Sequence, residues 1–118
     1  MAYLLLIVEP RGQRATRSEA EGRALYAEME AFGADLQTRG QLLAVQSLRP
    51  DDDAVRISMH EGKPMLRDGP FAEAKEMVGG FFLIDVASLE EAVAIASRCP
   101  AARWAAVEVR ECAPCYVS

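Results

Sequence analysis

The sequence predicts an α+β fold, and three of its features lead to that class. Apolar segments with the length of strands alternate with two helical segments along the 118 residues. Each helical segment opens with Ser-x-x-Glu, the capping box whose side chains satisfy backbone N–H groups of the first turn. A short hairpin pattern lies between the two halves. The order β-α-β-β-α-β with an extra hairpin is that of a ferredoxin-like sheet with both helices on one face.

The bulk composition is that of one packed domain over residues 1–118. Hydrophobic residues make up 51% and charged residues 26% of the chain, which is typical of a soluble core. The net charge of −5 argues against a nucleic-acid partner, which selects a basic surface. No apolar run is long enough for a membrane helix, and the first residues lack a basic leader, so we expect a cytoplasmic protein.

In the first half, residues 2–9 are apolar up to Glu9 and predict a central strand buried on both faces. A helix is expected from Ser18 to about Arg39, and Gly40 is its natural stop. Its apolar face recurs at helical spacing. That face comprises Leu25, Met29, Phe32 and Leu36. A second strand is expected from Leu42 to Leu48.

The inserted hairpin is predicted from an alternating segment and its turn. Val55, Ile57 and Met59 alternate with polar residues, which indicates a half-buried strand. Glu61-Gly62-Lys63 would turn the chain into a partner strand from Pro64 to Arg67.

The second half repeats the pattern. A strand is expected from Phe81 to Val86, a helix after Ser88, and a final strand from Trp104 to Glu111. The buried side of that helix is assigned to Leu89, Ala92, Val93 and Ala96. Trp104 and alternate residues of 81–86 would lie on the sheet face that no helix covers. Leaving such a face wet costs about 25 cal/mol per Å², so a two-fold homodimer is expected.

The segment from Arg67 to Val86 holds the candidate site. Asp68-Gly69-Pro70 is a rigid turn that fixes the direction of the Asp68 carboxylate, with Phe71 as its apolar anchor. A glycine pair at a strand start marks a bulge or a close approach by another backbone or a ligand. The segment therefore either frames a small pocket or is only a good turn. The candidate ligand-binding residues are Asp68, Gly69, Pro70, Phe71, Lys75, Gly79 and Gly80.

The three cysteines and the single histidine do not predict a redox or metal site. Cys112 and Cys115 have the C-x-x-C spacing, but they follow a strand instead of opening a helix, where a thiolate is stabilised. A zinc site would need two further ligands, and only Cys99 and His60 are left. We therefore predict no metal and no cofactor, and interpret the pair as an incidental tail.

The sequence resembles the DGPF-domain branch of the YCII-related family. The likeness extends over nearly the whole chain, from Tyr3 to Arg110. It rests on Asp68–Glu73, Lys75-Glu76, Gly79–Ile84, Leu89–Ala92, Cys99–Ala102 and Val107–Arg110. The resemblance implies a dimeric α+β barrel, in which two ferredoxin-like sheets pack face to face. It also implies an association with extracytoplasmic-function sigma factors.

The resemblance raises the question of catalysis. The wider family is suggested to include enzymes with a His–Asp pair whose histidine lies on the first helix. The first helix here contains Asp35 but no histidine, so an acid–base group would have to be a carboxylate with a raised pKa. Asp68 is the candidate, because the turn fixes it and Phe71 and the glycines would desolvate it.

Three functions stay open at this point. The favoured one is a small-molecule-binding or regulatory dimer, since no nucleophile–base arrangement is visible. The second is an enzyme of the dimeric α+β barrel type, a hydrolase, isomerase or cofactor-free oxygenase that uses Asp68. The third is an interaction module for a sigma factor or a partner enzyme.

Overall fold

The computed structural model describes residues 1–71 and 73–117, so Ala72 of the Asp-Gly-Pro-Phe block and Ser118 lie outside the described residues. The predicted α+β, ferredoxin-like order with its extra hairpin is confirmed. The helices are α1 (Glu19–Thr38) and α2 (Leu89–Ser97). The strands are β1 (Ala2–Pro10), β2 (Leu42–Ser47), β3 (Val55–His60), β4 (Lys63–Asp68), β5 (Glu76–Asp85) and β6 (Ala106–Glu111).

The main sheet has four antiparallel strands in the order β2-β5-β1-β6. β1 is an interior strand, as predicted, but its burial alternates. Tyr3, Leu5 and Ile7 are buried beneath the helices, whereas the residues between them are only half-buried. Burial on both faces is therefore not present in the single chain, because the two helices cover one side alone.

The core lies between the helices and the sheet, and it corrects two assignments. Trp104 follows a short 3-10 turn and packs against this core, so it does not lie on the open sheet face. On α2, Ala92, Ile95 and Ala96 are buried, whereas the predicted core residues Leu89 and Val93 are exposed. The open face of the sheet instead carries Leu4, Leu6, Phe81 and Leu83.

The capping residues fix the helix starts as the sequence predicts. The Ser18 side chain accepts a hydrogen bond from the Glu21 backbone N–H at 3.1 Å, and the Glu21 carboxylate accepts one from the Ser18 N–H at 3.1 Å. The Ser88 side chain caps α2 by accepting a hydrogen bond from the Glu91 backbone N–H at 3.2 Å. Gly40 ends α1 with φ at 71°, a left-handed conformation that favours glycine.

The β3–β4 hairpin (residues 55–68, hereafter the arm) pairs with itself and forms a separate two-stranded sheet. Every residue of both strands is exposed, so the half-buried strand predicted from the alternation is not seen in the single chain. The arm makes the molecule broad and flat, with extents of 47 × 43 × 19 Å. No helix in the described part of the chain is long and apolar enough to cross a membrane.

Candidate functional site

An open cleft of about 1060 Å³ lies between α1 and the helix-facing side of the sheet. Its α1 wall contains small residues, among them Gly22 and Gly33, which keep the helix from filling the space. The remaining lining is mixed, with apolar and aromatic side chains beside polar ones, and Glu19, Arg23 and Glu30 are distributed along the α1 wall. The apolar and aromatic lining includes Ile7, Tyr26, Met29, Val45, Phe82 and Trp104.

Glu9 and Arg14 form an ion pair that lines the cleft near the end of β1. Arg14 Nη2 donates to Glu9 Oε1 at 2.6 Å, and Arg14 Nε lies 3.1 and 3.2 Å from the two carboxylate oxygens. The same guanidinium donates to the carbonyls of Leu48 at 2.7 Å and Gly79 at 3.2 Å. The pair therefore connects the loop after β1 to β2 and β5.

Glu9 is the buried charged residue of the described chain, with 5% of its surface exposed. Removing a carboxylate from water costs several kcal/mol unless a partner and hydrogen bonds compensate it. Arg14 supplies both through its forked geometry, which matches a carboxylate. An ionised carboxylate held this way keeps spare acceptor lone pairs that can face a donor group of a ligand.

The two consecutive glycines make room for this pair. Gly79 lies at a β-bulge, where the β1–β5 register shifts between Ile7 and Val8. A Cβ on Gly79 would collide with the Glu9 carboxylate and come within 2.8 Å of Arg14 Nη2. A Cβ on Gly80 would come within 2.8 Å of the Gln46 carbonyl oxygen. The predicted bulge and close approach at Gly79 and Gly80 are therefore present, although both lie inside β5 and not at its start.

The rim of the cleft is formed by the loop before α1 and by Trp104. Gln13 donates from Nε2 to the Trp104 carbonyl at 2.8 Å, and Arg17 lies over the indole ring at 5.9 Å from its centre. This arrangement gives the cleft an aromatic wall with a cation beside it, which suits a flat ligand with a polar edge.

The remaining predicted site residues lie elsewhere. Asp68 is exposed at the base of the arm, where it lies opposite Val55. It does not line the cleft. Gly69 and Pro70, joined by a cis peptide bond, form the base of the arm. The Gly69 N–H donates to the Ala54 carbonyl at 2.8 Å, and a Cβ on Gly69 would collide with the Asp51 carbonyl oxygen. Lys75 is exposed, and its carbonyl accepts from the Arg11 N–H at 3.0 Å.

Phe71 is the apolar anchor of this corner, as predicted. It is buried, and the guanidinium carbons of Arg56 and Arg67 lie 3.8 and 5.5 Å from its ring centre. Glu73 accepts from Arg67 at 2.7 Å and from Arg56 at 3.1 Å. Hydrogen bonds from Arg67, from the Glu73 backbone and from Arg56 lower the pKa of Glu73 to about 2. These four side chains hold the base of the arm against the segment that connects it to β5.

Other reactive groups are dispersed. Cys112 and Cys115 are exposed free thiols, whereas Cys99 is buried, and burial raises the pKa of its thiol. On α1, Asp35 pairs with Arg39 at 3.0 Å on the exposed surface. Across residues 1–71 and 73–117, no group of three or more His, Cys, Asp or Glu side chains is placed to hold a metal ion.

Glu9 and Arg14 were not among the site residues predicted from the sequence. One signal was available: Glu9 is a lone acid at the end of an otherwise apolar strand, and an arginine follows five residues later. An isolated charge on a buried strand requires a compensating partner. The glycine pair was predicted to allow a close approach by another group. The side chain that approaches Gly79 belongs to Arg14, which is 65 residues away in sequence.

Comparisons with known proteins agree with this fold. The YCII-related domain family matches residues 1–115. An uncharacterised protein of Rhizobium meliloti (strain 1021) is 33% identical over 93 residues, which cover 79% of this chain and 75% of that protein. The 5-chloro-2-hydroxyhydroquinone dehydrochlorinase of Burkholderia phenoliruptrix AC1100, solved in complex with 2,5-dihydroxybenzoquinone, superposes with a TM-score of 0.56 at 16% identity. That superposition covers 96% of this chain and 94% of the dehydrochlorinase and shows a shared fold. The chain therefore belongs to the YCII-related family.

Proposed function

We propose that this protein is a small-molecule-binding homodimer of the DGPF-domain branch, and that its ligand binds in the cleft between α1 and the sheet. The observation that carries the proposal is the buried Glu9 carboxylate, paired with Arg14, in a cleft that also has aromatic walls. A buried charge pair is weak as a stabilising device. Together with an aromatic wall and room for a ligand, it has the composition of a binding site.

The lining defines the class of ligand. Trp104 and Tyr26 offer flat apolar surfaces, and Glu9 offers acceptor oxygens. We therefore expect a ring compound that carries at least one hydroxyl or amino donor. The dehydrochlorinase that shares this fold was solved with a hydroxylated quinone ring, which supports a ligand of that size and shape.

The homodimer is supported by the open sheet face. Leu4, Leu6, Phe81 and Leu83 lie on the side that the helices do not cover, and a second copy is the simplest cover for them. A regulatory role linked to an extracytoplasmic-function sigma factor, and a cytoplasmic location, stay predictions that rest on the resemblance and the composition.

The alternative is an enzyme of the dimeric α+β barrel type, and the specific observation behind it is a carboxylate inside the cleft. Asp68 was the sequence candidate for an acid–base role, and it stays a prediction for a hydrolase, isomerase or cofactor-free oxygenase. Because Asp68 is exposed on the arm, Glu9 is the carboxylate that would face a ligand in the cleft.

Gly22→Leu tests the binding site without disturbing the fold. No atom lies within 4 Å of the position where a Cβ on Gly22 would be, so the new side chain enters the cleft instead of colliding with the core. The replacement removes a helical glycine, which favours α1 by up to about 1 kcal/mol. We expect unfolding at a higher temperature together with loss of ligand binding.

The measurement is a thermal-shift screen of hydroxylated and aminated ring compounds, followed by calorimetry on the hits. Ala31→Leu is the matched control, since Ala31 is exposed on α1 and does not line the cleft. It should bind the hits like the unmodified protein. Equal binding by Gly22→Leu would exclude the cleft as the ligand site.

A further inference from the structure

We propose that the arm is an intermolecular clasp, whose apolar face packs against the body of a second copy of this chain. The inference rests on the homodimer of the proposed function but not on the ligand. It adds a second contact surface, distinct from the open face of the main sheet.

The arm has one apolar face, and the register defines it. Residues directly opposite each other in an antiparallel pair project to the same side. Ile57 pairs with Leu66, and Met59 pairs with Pro64, so these four residues share a face. Val55 continues this face toward the base of the arm, where Asp68 lies opposite it. Ile57 is 67% and Leu66 is 66% exposed. A contiguous group of this kind is typical of a protein–protein contact.

The opposite face of the arm contacts the segment that connects it to β5. There Arg56 and Arg67 contact Phe71 and Glu73, and the Gly69 N–H donates to the Ala54 carbonyl at 2.8 Å, which joins the two ends of the arm. These contacts order the hairpin while its apolar face stays bare. Such preorganisation lowers the entropy cost of binding a partner.

The exposed area of the single chain indicates that the missing partner is large. Its accessible surface is 8041 Å², whereas a compact protein of 12.9 kDa exposes roughly 6,300 Å². Its radius of gyration is 16.1 Å, against roughly 13.5 Å for a compact chain of this length. Covering the excess of roughly 1,700 Å² on each of two copies would bury about 3,400 Å² in total, which is the size of an obligate dimer interface.

The size of the exposed area favours the body of the second copy as the contact surface over the second arm. Charge gives no preference, because Arg56 and Arg67 lie on the opposite face of the arm and pair with Glu73. Two arms packed on each other would cover only the arm faces, whereas an arm packed on the body covers surface of both, as the excess exposed area requires.

The test is a pair of double variants that differ only in the face they change. Ile57→Thr with Leu66→Thr removes apolar area from the bare face and keeps residues that favour strands. Ser58→Thr with Met65→Thr changes the opposed pair on the other face and is the matched control. We expect the first variant to raise the dimer Kd at least about 100-fold, since four side chains per dimer are altered, and the control to stay within about threefold.

Analytical ultracentrifugation gives the dimer Kd, and circular dichroism checks that each variant is folded. A dimer Kd that the first variant leaves unchanged would overturn the clasp and leave the homodimer standing, with the arm free for a different protein. Equal weakening by both variants would also overturn it. A parent protein that is monomeric at all concentrations would remove the homodimer and the clasp together, whereas the cleft would still be tested by ligand binding.

A second measurement does not depend on altered affinity. Ile57→Cys, in a chain with Cys112→Ser and Cys115→Ser, places one exposed thiol on the apolar face while Cys99 stays buried. We expect maleimide to label this thiol at least tenfold more slowly when the protein is dimeric than when it is diluted to monomer. The same rate in both states would overturn the proposal.

Discussion

The body and the arm follow the same alternating pattern with opposite results. In β1 and β5, alternate residues such as Leu5 and Ile84 are completely buried beneath the helices. In β3 and β4, alternate residues such as Ile57 and Leu66 are among the most exposed apolar side chains. Alternation therefore shows which side of a strand avoids water, but not which surface covers that side.

The arm stays exposed because the described part of the chain places no helix or sheet next to its apolar side. The helices that cover β1 and β5 are joined to the sheet by short connections, so one chain builds both layers. The arm leaves the sheet after β2 and returns before β5, and its strands pair only with each other. A two-stranded hairpin is marginally stable alone in water, and this one is supported at its base by Phe71, Glu73 and two arginines.

The largest expected difference between the two regions is in the effect of truncating one apolar side chain. Leu5→Ala should lower the free energy of unfolding by about 3 kcal/mol, because it opens a cavity in the core. Ile57→Ala should change it by less than about 0.5 kcal/mol in dilute protein, because Ile57 is exposed in the single chain. Denaturant unfolding at low protein concentration measures both. Equal losses would mean that the arm belongs to the folding core of the single chain.

A smaller effect is expected from the charge pair in the cleft. Glu9→Gln keeps the size of the side chain but leaves Arg14, which is 32% exposed, without its carboxylate partner. We expect a loss of about 2 kcal/mol in the free energy of unfolding. Glu19→Gln removes the carboxylate from an ion pair that is 79% exposed on both sides, and should change stability by less than about 0.5 kcal/mol. Similar values for the two variants would contradict the assignment of Glu9 as a buried, compensated charge.

The smallest effect is expected at the exposed base of the arm, and it depends on pH. The pKa of Glu73 falls from its ordinary value of 4.5 to about 2, so its contribution to holding the arm is complete above pH 4.5. The contribution is lost as the pH falls from 4.5 through about 2, where the carboxylate becomes protonated. NMR titration of the Glu73 side chain should give a midpoint near 2.

Two substitutions test whether Arg67 causes the lowered pKa of Glu73. Arg67→Gln should raise the midpoint toward 4.5, since Arg67 supplies the largest lowering effect. Arg39→Gln, in an exposed pair on α1, should leave it unchanged. A midpoint that stays near 2 in Arg67→Gln would place the cause elsewhere than the arginine bridge.

The fold was predictable because its signals are local. The Ser18 and Ser88 caps, the stop at Gly40 and the hairpin turn each depend on a few neighbouring residues, and the structure contains all four. The strand ends were less accurate: β5 begins at Glu76 and not at Phe81, because Glu76, Met77 and Val78 precede the glycine pair but still pair with β1.

The site was only partly predictable because it is assembled from distant segments. Gly79 and Gly80 were recognised from their backbone requirements alone. Glu9 and Arg14 become recognisable as a pair only when β5 lies beside β1. Trp104 was assigned to the wrong side because it was counted as part of a strand, whereas it follows the 3-10 turn Pro100–Arg103 and β6 begins only at Ala106.

The hydrogen bond between Gly69 and Ala54 means that the hairpin begins and ends at almost the same point. We therefore expect that residues 55–68 can be replaced by another hairpin without changing the pairing of the four central strands, with which the arm does not pair. The surface of the arm can thus change while the cleft stays the same, since no residue of the arm lines that cleft.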